Sequence, residues 1–147
     1  MLGRTVLLVE DSVDDEVLIL RAFKKHNQRD QMVVVRDGQE ALDYLLGTGT
    51  YAGRGTVALP AVVFLDLKMP KIGGLEVLRR LRGNRLTRLM PVVILSSSNE
   101  ERDLLDGYSL GANGYVRKPI DYRELTEAIR QLSQYWLSLN EPPPAGR

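Results

Sequence analysis

Three short runs of apolar residues limit what this chain can fold into. They are VLLV at 6–9, VVFL at 62–65 and VVIL at 92–95, and none of them alternates with polar residues. A run this short and rich in β-branched residues is typical of a strand covered on both faces, as in a parallel sheet. Two weaker runs, MVVV at 32–35 and GYV at 114–116, predict further strands.

Helical patterns lie between these runs. Apolar residues recur at helical spacing in four segments, Val13–His26, Glu40–Leu46, Leu75–Leu81 and Asp121–Leu137. Capping boxes predict helix starts at Ser98 with Glu101 and at Asp121 with Glu124. Strands and helices therefore alternate along the chain, which predicts an α/β fold with an open parallel sheet and helices on both faces.

Length and composition limit the number of domains, the cellular compartment and the partners that can be expected. A chain of 147 residues suffices for one domain, which we place at 1–139, with a disordered Pro-rich tail at 140–147. The net charge of +1 gives no reason to expect nucleic-acid or membrane binding. The chain has no cysteine, no secretory signal pattern and no apolar stretch of the ~20 residues that a membrane span needs, so a cytoplasmic location is expected.

Each strong strand is followed by polar residues. Glu10 and Asp11 come after the first run, Asp66 after VVFL, Ser96 after VVIL, and Lys118 after GYV. Because the carboxyl ends of parallel strands share one edge of the sheet, where ligands bind, these side chains are expected to converge.

Three carboxylates brought together repel one another unless a cation lies between them. Hard oxygen ligands favour Mg²⁺ or Mn²⁺ over zinc, and a nearby lysine and hydroxyl would complete a site for a phosphoryl group. The chemistry that this suggests is attack by Asp66 on phosphorus. Taken singly, each residue has a plainer interpretation: Asp11 and Ser12 as a helix cap, Asp66 as a turn residue, and Lys118 as a loop lysine.

At these residues the chain resembles the receiver domain of two-component response regulators. The resemblance covers Arg4–Leu137 and rests on motifs that occur in the family's order: LLVEDS, DGQEAL, LDLKMP, KIGGLEVL, VVILSSS and GYVRKP. It implies a flavodoxin-like doubly wound (βα)5 fold with a five-stranded parallel sheet.

The resemblance also implies a role for each matching residue. Asp66 would accept a phosphoryl group from a phosphohistidine of a sensor histidine kinase, and Lys118 would pair with the phosphoryl oxygens. Asp11, Asp66 and the backbone carbonyl of Lys68 would bind Mg²⁺ or Mn²⁺, with Glu10 acting through water. Ser96 and Tyr115 would form the switch pair. The Lys118–Pro119 bond is expected to be cis.

Within the family, the chain is most similar to the small single-domain regulators that partner phytochrome kinases. The Gly47–Pro60 insertion, the SSSNE sequence and the QYWL ending carry this narrower resemblance. It implies a homodimer formed through the face that bears the last helix. The apolar candidates are Tyr108, Leu110, Tyr135, Trp136 and Leu139. Alternatively, Trp136 covers the core of its own subunit.

Other functional classes fit the residues less well. A phosphatase that forms an aspartyl-phosphate would place a second acid two residues after the nucleophile, and Lys68 occupies that position. The acidic EDSVDD segment disfavours a flavin phosphate site, and no output domain is expected after Leu139. The chain is therefore predicted to be a phosphoacceptor signalling protein that catalyses only its own phosphorylation and dephosphorylation. The ammonium of Lys68 is expected to lie within reach of the mouth of the site.

Overall fold

A computed structural model of the protein describes residues 4–53, 59–119 and 121–144. Five strands form one parallel sheet in the order β2-β1-β3-β4-β5. They are β1 Thr5–Val9, β2 Gln31–Val35, β3 Val62–Leu65, β4 Val92–Ser96 and β5 Gly114–Arg117. The predicted strands and their parallel arrangement are confirmed.

A helix follows each strand. The helices are α1 Val13–His26, α2 Gly38–Leu46, α3 Gly74–Arg82, α4 Glu101–Ser109 and α5 Tyr122–Gln134. A short 3₁₀ turn at Gly49–Tyr51 follows α2, and a π-helical turn at Tyr135–Leu139 extends α5. Residues 54–58 of the predicted Gly47–Pro60 insertion lie outside the described residues. Among the described helices, none is both long and apolar enough to cross a membrane.

The sheet separates two hydrophobic cores. Alternate residues of the strands point to opposite faces, so Leu7 and Val63 pack with α2 and α3 on one side. On the other side, Leu8 and Phe64 pack against α1 and α5. Because both faces are covered, the central strands β1, β3 and β4 are almost entirely apolar, which explains their sequence pattern.

One prediction about the helix starts needs correction. Ser98 does not cap α4: that helix begins after Glu100, and the Ser98 hydroxyl donates a hydrogen bond to Asp103 instead. Ile19 and Phe23 of α1 are buried, because one face of this helix packs against the sheet and α5. The cap predicted at Asp121 is present, since its carboxylate accepts hydrogen bonds from the first turn of α5.

Two further expectations concern the Lys118–Pro119 bond and the C-terminal residues. No cis peptide bond occurs within the described residues, so Lys118–Pro119 is trans and the cis expectation was wrong. The trans isomer is the one that an X–Pro bond intrinsically prefers. Residues 141–144 have no regular secondary structure. The boundary of the domain at 139 and the disorder of residues 140–147 stay predictions.

Candidate functional site

The backbone of the sheet brings the predicted polar residues to one edge. Asp66 N donates to Val9 O at 3.1 Å, so the residue after β3 lies beside the end of β1. Lys118 N donates to Ser96 O at 2.8 Å, which places the residue after β5 beside the end of β4. Hydrogen bonds between neighbouring strands thus continue just past the strand ends and fix the backbone positions of Asp66 and Lys118.

Three carboxylates form a cluster at this edge. One oxygen from each of Glu10, Asp11 and Asp66 lies within 4.8 Å of the other two. Glu10 and Asp66 are buried, whereas Asp11 is exposed. Backbone amides support the two buried acids: Leu67 N donates to Asp66 Oδ1 at 2.9 Å, and Ser12 N donates to Glu10 Oε2 at 3.2 Å. The convergence predicted from the sequence is therefore present for all three acids.

Lys118 supplies a positive charge to the cluster. Its Nζ lies 2.5 Å from Glu10 Oε1, 2.9 Å from Asp15 Oδ2 and 3.7 Å from Asp66 Oδ1. Sequence analysis did not identify Asp15. Its place in the acidic EDSVDD segment, in the first turn of α1, was the available signal.

Burial and charge shift the pKa values of these groups. Burial is the main cause that raises the pKa of Glu10 to about 7, and the neighbouring Asp66 raises it further, while Lys118 acts in the opposite direction. Burial likewise raises the pKa of Asp66. For Lys118, burial acts to lower the pKa, but its pairs with Glu10, Asp15 and Asp66 outweigh burial and raise it. The cluster therefore favours an added cation.

Ser96 and Tyr115 both make hydrogen bonds to the segment that leads into α4. Ser96 is fully buried, and its Oγ accepts a hydrogen bond from Ser98 N at 3.2 Å. The Tyr115 hydroxyl donates to Ser98 O at 3.0 Å. The two predicted switch residues are thus joined through the backbone of one residue, Ser98.

The side chain of Lys68 is directed toward α4. Its Nζ lies 3.4 Å from Asp103 Oδ2, and the same oxygen accepts a 2.5 Å hydrogen bond from Ser98 Oγ. The hydrogen bond from Ser98 and the charge of Lys68 lower the pKa of Asp103, although burial opposes them. The sequence does not indicate Asp103, because its pattern favours a capping box between Ser98 and Glu101.

The donor set fits a hard divalent cation. Carboxylate oxygens are the ligands that Mg²⁺ and Mn²⁺ prefer, and two buried acids with raised pKa values gain most from a positive ion beside them. The exposed position of Asp11 leaves one side of the cluster open to water, as suits a metal that keeps several water ligands.

Comparison with known proteins agrees with this fold. The profile of the response regulator receiver domain family matches residues 6–130. The structure of the phosphorylated cyanobacterial phytochrome response regulator RcpA is similar, with a TM-score of 0.89, 34% identity, and coverage of 97% of this chain and 99% of that one. The bacteriophytochrome response regulator AtBRR is 48% identical, with a TM-score of 0.74 and coverage of 95% of this chain and 99% of that one.

A third relative is response regulator Rcp1 from Synechocystis, which is 31% identical over 97% of this chain and 95% of its own. Its Mn²⁺-bound structure has a TM-score of 0.86, with 30% identity and coverage of 96% of this chain and 99% of that one. The chain therefore belongs to the response regulator receiver domain family, whose members accept phosphoryl groups in two-component signalling and bind divalent metal. It is related to the phytochrome response regulators.

Proposed function

We propose that Asp66 is the phosphoacceptor of this receiver domain. A carboxylate oxygen of Asp66 attacks phosphorus, a new P–O bond forms, and the P–N bond to a histidine of a sensor kinase breaks. The proton that the donor imidazole needs as it leaves comes from water. The single observation that carries the proposal is that three acids and Lys118, far apart in sequence, meet at one edge of the sheet.

Asp11, Asp66 and the backbone carbonyl of Lys68 would hold the metal, with Glu10 acting through a bound water. When bound, Mg²⁺ or Mn²⁺ neutralises charge on the phosphoryl oxygens. Lys118, at 3.7 Å from Asp66, would need only a small movement to pair with a phosphoryl oxygen. Leu67 N remains a donor that orients the Asp66 carboxylate.

Ser96 and Tyr115 would transmit phosphorylation to the protein surface. The Ser96 hydroxyl accepts a bond from Ser98 N, so its own proton is free to be donated to a phosphoryl oxygen if the side chain rotates. Loss of that bond would loosen the Ser98 backbone, to which the Tyr115 hydroxyl is bonded. The two residues would then change together.

Mass spectrometry of the intact protein tests the acceptor. With a small acyl-phosphate donor and Mg²⁺, we expect a gain of one phosphoryl group, which Asp66→Asn and removal of metal both abolish. A gain that persists in Asp66→Asn would refute the assignment. The alternative, a phosphatase that forms an aspartyl-phosphate, predicts steady phosphate release from unrelated monoesters. Lys68 stands where such an enzyme needs its second acid, which favours a protein that catalyses only its own phosphorylation and dephosphorylation.

The partner that we propose is a sensor histidine kinase of the phytochrome type. The support is the likeness to RcpA and AtBRR, whose names tie them to phytochromes. A cytoplasmic location goes with this proposal, because such kinases take their phosphoryl group from ATP. Transfer from a phosphorylated phytochrome kinase at least tenfold faster than from an unrelated histidine kinase would support the partner, and equal rates would contradict it.

We also propose a homodimer through the face that bears the last helix, α5. Tyr108 on α4 and Tyr135 and Leu139 at the end of α5 are exposed, whereas Leu110 and Trp136 pack partly against the cores of their own subunit. Trp136 therefore helps to cover the core of its own subunit, which was the alternative prediction for this residue. The three exposed residues are the candidates for the interface.

A matched pair of variants tests the dimer. Leu139 and Leu86 are equally exposed, at 67%, but Leu86 lies in the turn after α3. Sedimentation should show that Leu139→Ser shifts the protein toward monomer while Leu86→Ser does not. Equal behaviour of the two variants would contradict the proposed face.

A further inference from the structure

Lys68 follows the proposed phosphoacceptor by two residues, yet its charge is engaged elsewhere. Its Nζ is 3.4 Å from Asp103 Oδ2 in the first turn of α4. The lysine side chain is 65% exposed, whereas that of Asp103 is only 9% exposed. The acid is thus the fixed member of the pair and the lysine the movable one, since a lysine stem can adopt many rotamers at small cost.

Asp103 is held in place independently of Lys68. The Ser98 hydroxyl donates to the same carboxylate oxygen at 2.5 Å, and Ser98 Oγ also accepts a bond from Glu100 N at 3.3 Å. Negative charge is favourable in the first turn of a helix. If Lys68 left, Asp103 would keep a hydrogen-bond donor and a favourable place at the helix terminus.

The side chain of Lys68 is also long enough to reach the candidate site. Two residues of extended chain span at most ~7 Å, which is comparable to the length of a lysine side chain. A phosphoryl group on Asp66 would add a dianion at that distance, and a dianion attracts an ammonium more strongly than one carboxylate that already accepts a hydrogen bond.

We propose that Asp103 is a positioning residue that competes with the phosphoryl group for Lys68. Before phosphorylation, Asp103 holds the ammonium at α4. After phosphorylation, Lys68 moves to the phosphoryl oxygens, and the first turn of α4 loses its tie to the loop after β3. This inference rests on the proposed role of Asp66 and deepens it. The partner of Lys68 would then depend on whether Asp66 is phosphorylated.

The exchange affects the surface through Ser98. This residue bonds to Asp103 by its side chain and to Ser96 and Tyr115 by its backbone. Release of Lys68 therefore acts on the same segment that the proposed switch pair contacts.

Equilibrium binding of beryllium fluoride with Mg²⁺, measured by calorimetry, tests the competition, since this anion is a stable tetrahedral mimic of a phosphoryl group. Asp103→Asn keeps an oxygen that can accept from Ser98 but removes the competing charge. We expect it to bind the anion about two- to fivefold more tightly, as suits a partly exposed ion pair. Lys68→Met should bind it about two- to fivefold more weakly.

The double variant separates competition from a merely structural role. In Asp103→Asn/Lys68→Met the affinity should equal that of Lys68→Met alone, because Asp103 acts only through the lysine. Asp106→Asn is the matched control, since it removes a charge from the same helix that pairs with Arg102 rather than with Lys68. It should leave the affinity unchanged.

Each contrary result has a distinct meaning. Equal or weaker binding by Asp103→Asn, or a gain that persists without Lys68, would overturn the competition. Should Asp103→Asn fail to fold, Lys68→Met still decides, because its exposed side chain is not needed for packing and unchanged binding would refute the exchange. Failure of the wild-type protein to bind the anion or to accept a phosphoryl group would overturn the role of Asp66 itself, and the exchange with it.

Discussion

Lys118 forms its shortest ion pair with Glu10, at 2.5 Å, and not with Asp66, from which it lies 3.7 Å away. The lysine therefore acts in this structure as a counterion of the whole acidic cluster. Burial raises the pKa values of Glu10 and Asp66, and the single ammonium of Lys118 does not offset this effect. The edge of the sheet is thus built at a cost in stability that an added cation would relieve.

In the absence of metal, the stability of the fold should depend on pH. Burial raises the pKa of Glu10 from the ordinary 4.5 to about 7, so the folded state binds a proton that the unfolded state has released. The stabilising contribution is fully present below pH 4.5 and is lost as the pH rises through 7. We expect the free energy of unfolding, measured by urea titration in EDTA, to fall between pH 5 and pH 8.

Glu10→Gln is the control for this dependence. The amide cannot ionise, so the decline between pH 5 and pH 8 should become smaller, with a remainder from Asp66, whose pKa is also raised by burial. An unchanged pH profile in Glu10→Gln would contradict the assignment to this carboxyl group.

Magnesium should stabilise the protein, and more strongly at high pH. The ion binds the deprotonated carboxylates, so binding displaces protons at pH 5 but displaces few at pH 8. At a concentration tenfold above its dissociation constant, the ion should raise Tm by about 3–6 °C at pH 8. Calorimetric scans at pH 5 and pH 8 with and without Mg²⁺ check this, and no shift at millimolar Mg²⁺ would argue against the metal site.

The sheet and most of the candidate site could be predicted from the sequence, because both follow from the residue pattern within each strand and just after it. Continuous apolar runs indicated buried parallel strands, and parallel strands place their ends together, so Glu10, Asp66 and Lys118 could be expected to meet. What the sequence could not give is the choice among partners of similar chemistry. Asp15 and Asp103 join the site or its surroundings because the helix orientation turns these acids toward Lys118 and Lys68.

Lys68 illustrates the same limit. Its sequence position suggested that its ammonium could reach the mouth of the site, but in the structure it pairs with Asp103 on α4. The Ser98–Glu101 capping box was wrong for a related reason: the serine hydroxyl had a buried carboxylate within reach, and that bond replaced the cap.

Gly74 should be required for the geometry of the loop that carries Asp66, the proposed phosphoacceptor. A Cβ built there would lie 2.2 Å from Asp66 O and 2.8 Å from Leu67 Cα, both of which are backbone atoms that cannot move aside. Gly74→Ala should therefore displace Asp66, reduce phosphoryl gain at least tenfold and destabilise the fold by about 1–3 kcal/mol. Intact mass after incubation with the acyl-phosphate donor and urea unfolding measure the two effects.

The preceding residue is a matched control for that variant. A Cβ at Gly73 meets only Leu67 O, at 3.4 Å, which is ordinary contact, and its backbone is in a region open to alanine. Gly73→Ala should keep phosphoryl gain within about twofold of wild type. If both variants behaved alike, the close approach of α3 to the site would not be the cause.

Arg82 should be the arginine of α3 on which stability most depends. Its guanidinium is partly buried and donates to backbone carbonyls of Gly111, Thr87, Arg88 and Met90, and to Asn113 Oδ1. These bonds join the turn after α3 to the connection between α4 and β5. Burial lowers the pKa of Arg82, which remains charged at neutral pH, and charge-assisted hydrogen bonds of this kind are the stronger ones.

Arg82→Ala should lower the free energy of unfolding by about 2–3 kcal/mol, because several acceptors lose their donor at once. Arg80 is the matched comparison: it is on the same helix, but it forms a surface ion pair with Glu76. Since exposed pairs of this kind contribute little, Arg80→Ala should change the free energy by less than about 1 kcal/mol. Urea unfolding of both variants decides the matter. A loss in Arg82→Ala as small as that in Arg80→Ala would mean that the carbonyls near Arg82 find replacement donors in water. The hydrogen bonds of Arg82 would then contribute little to the stability of the fold.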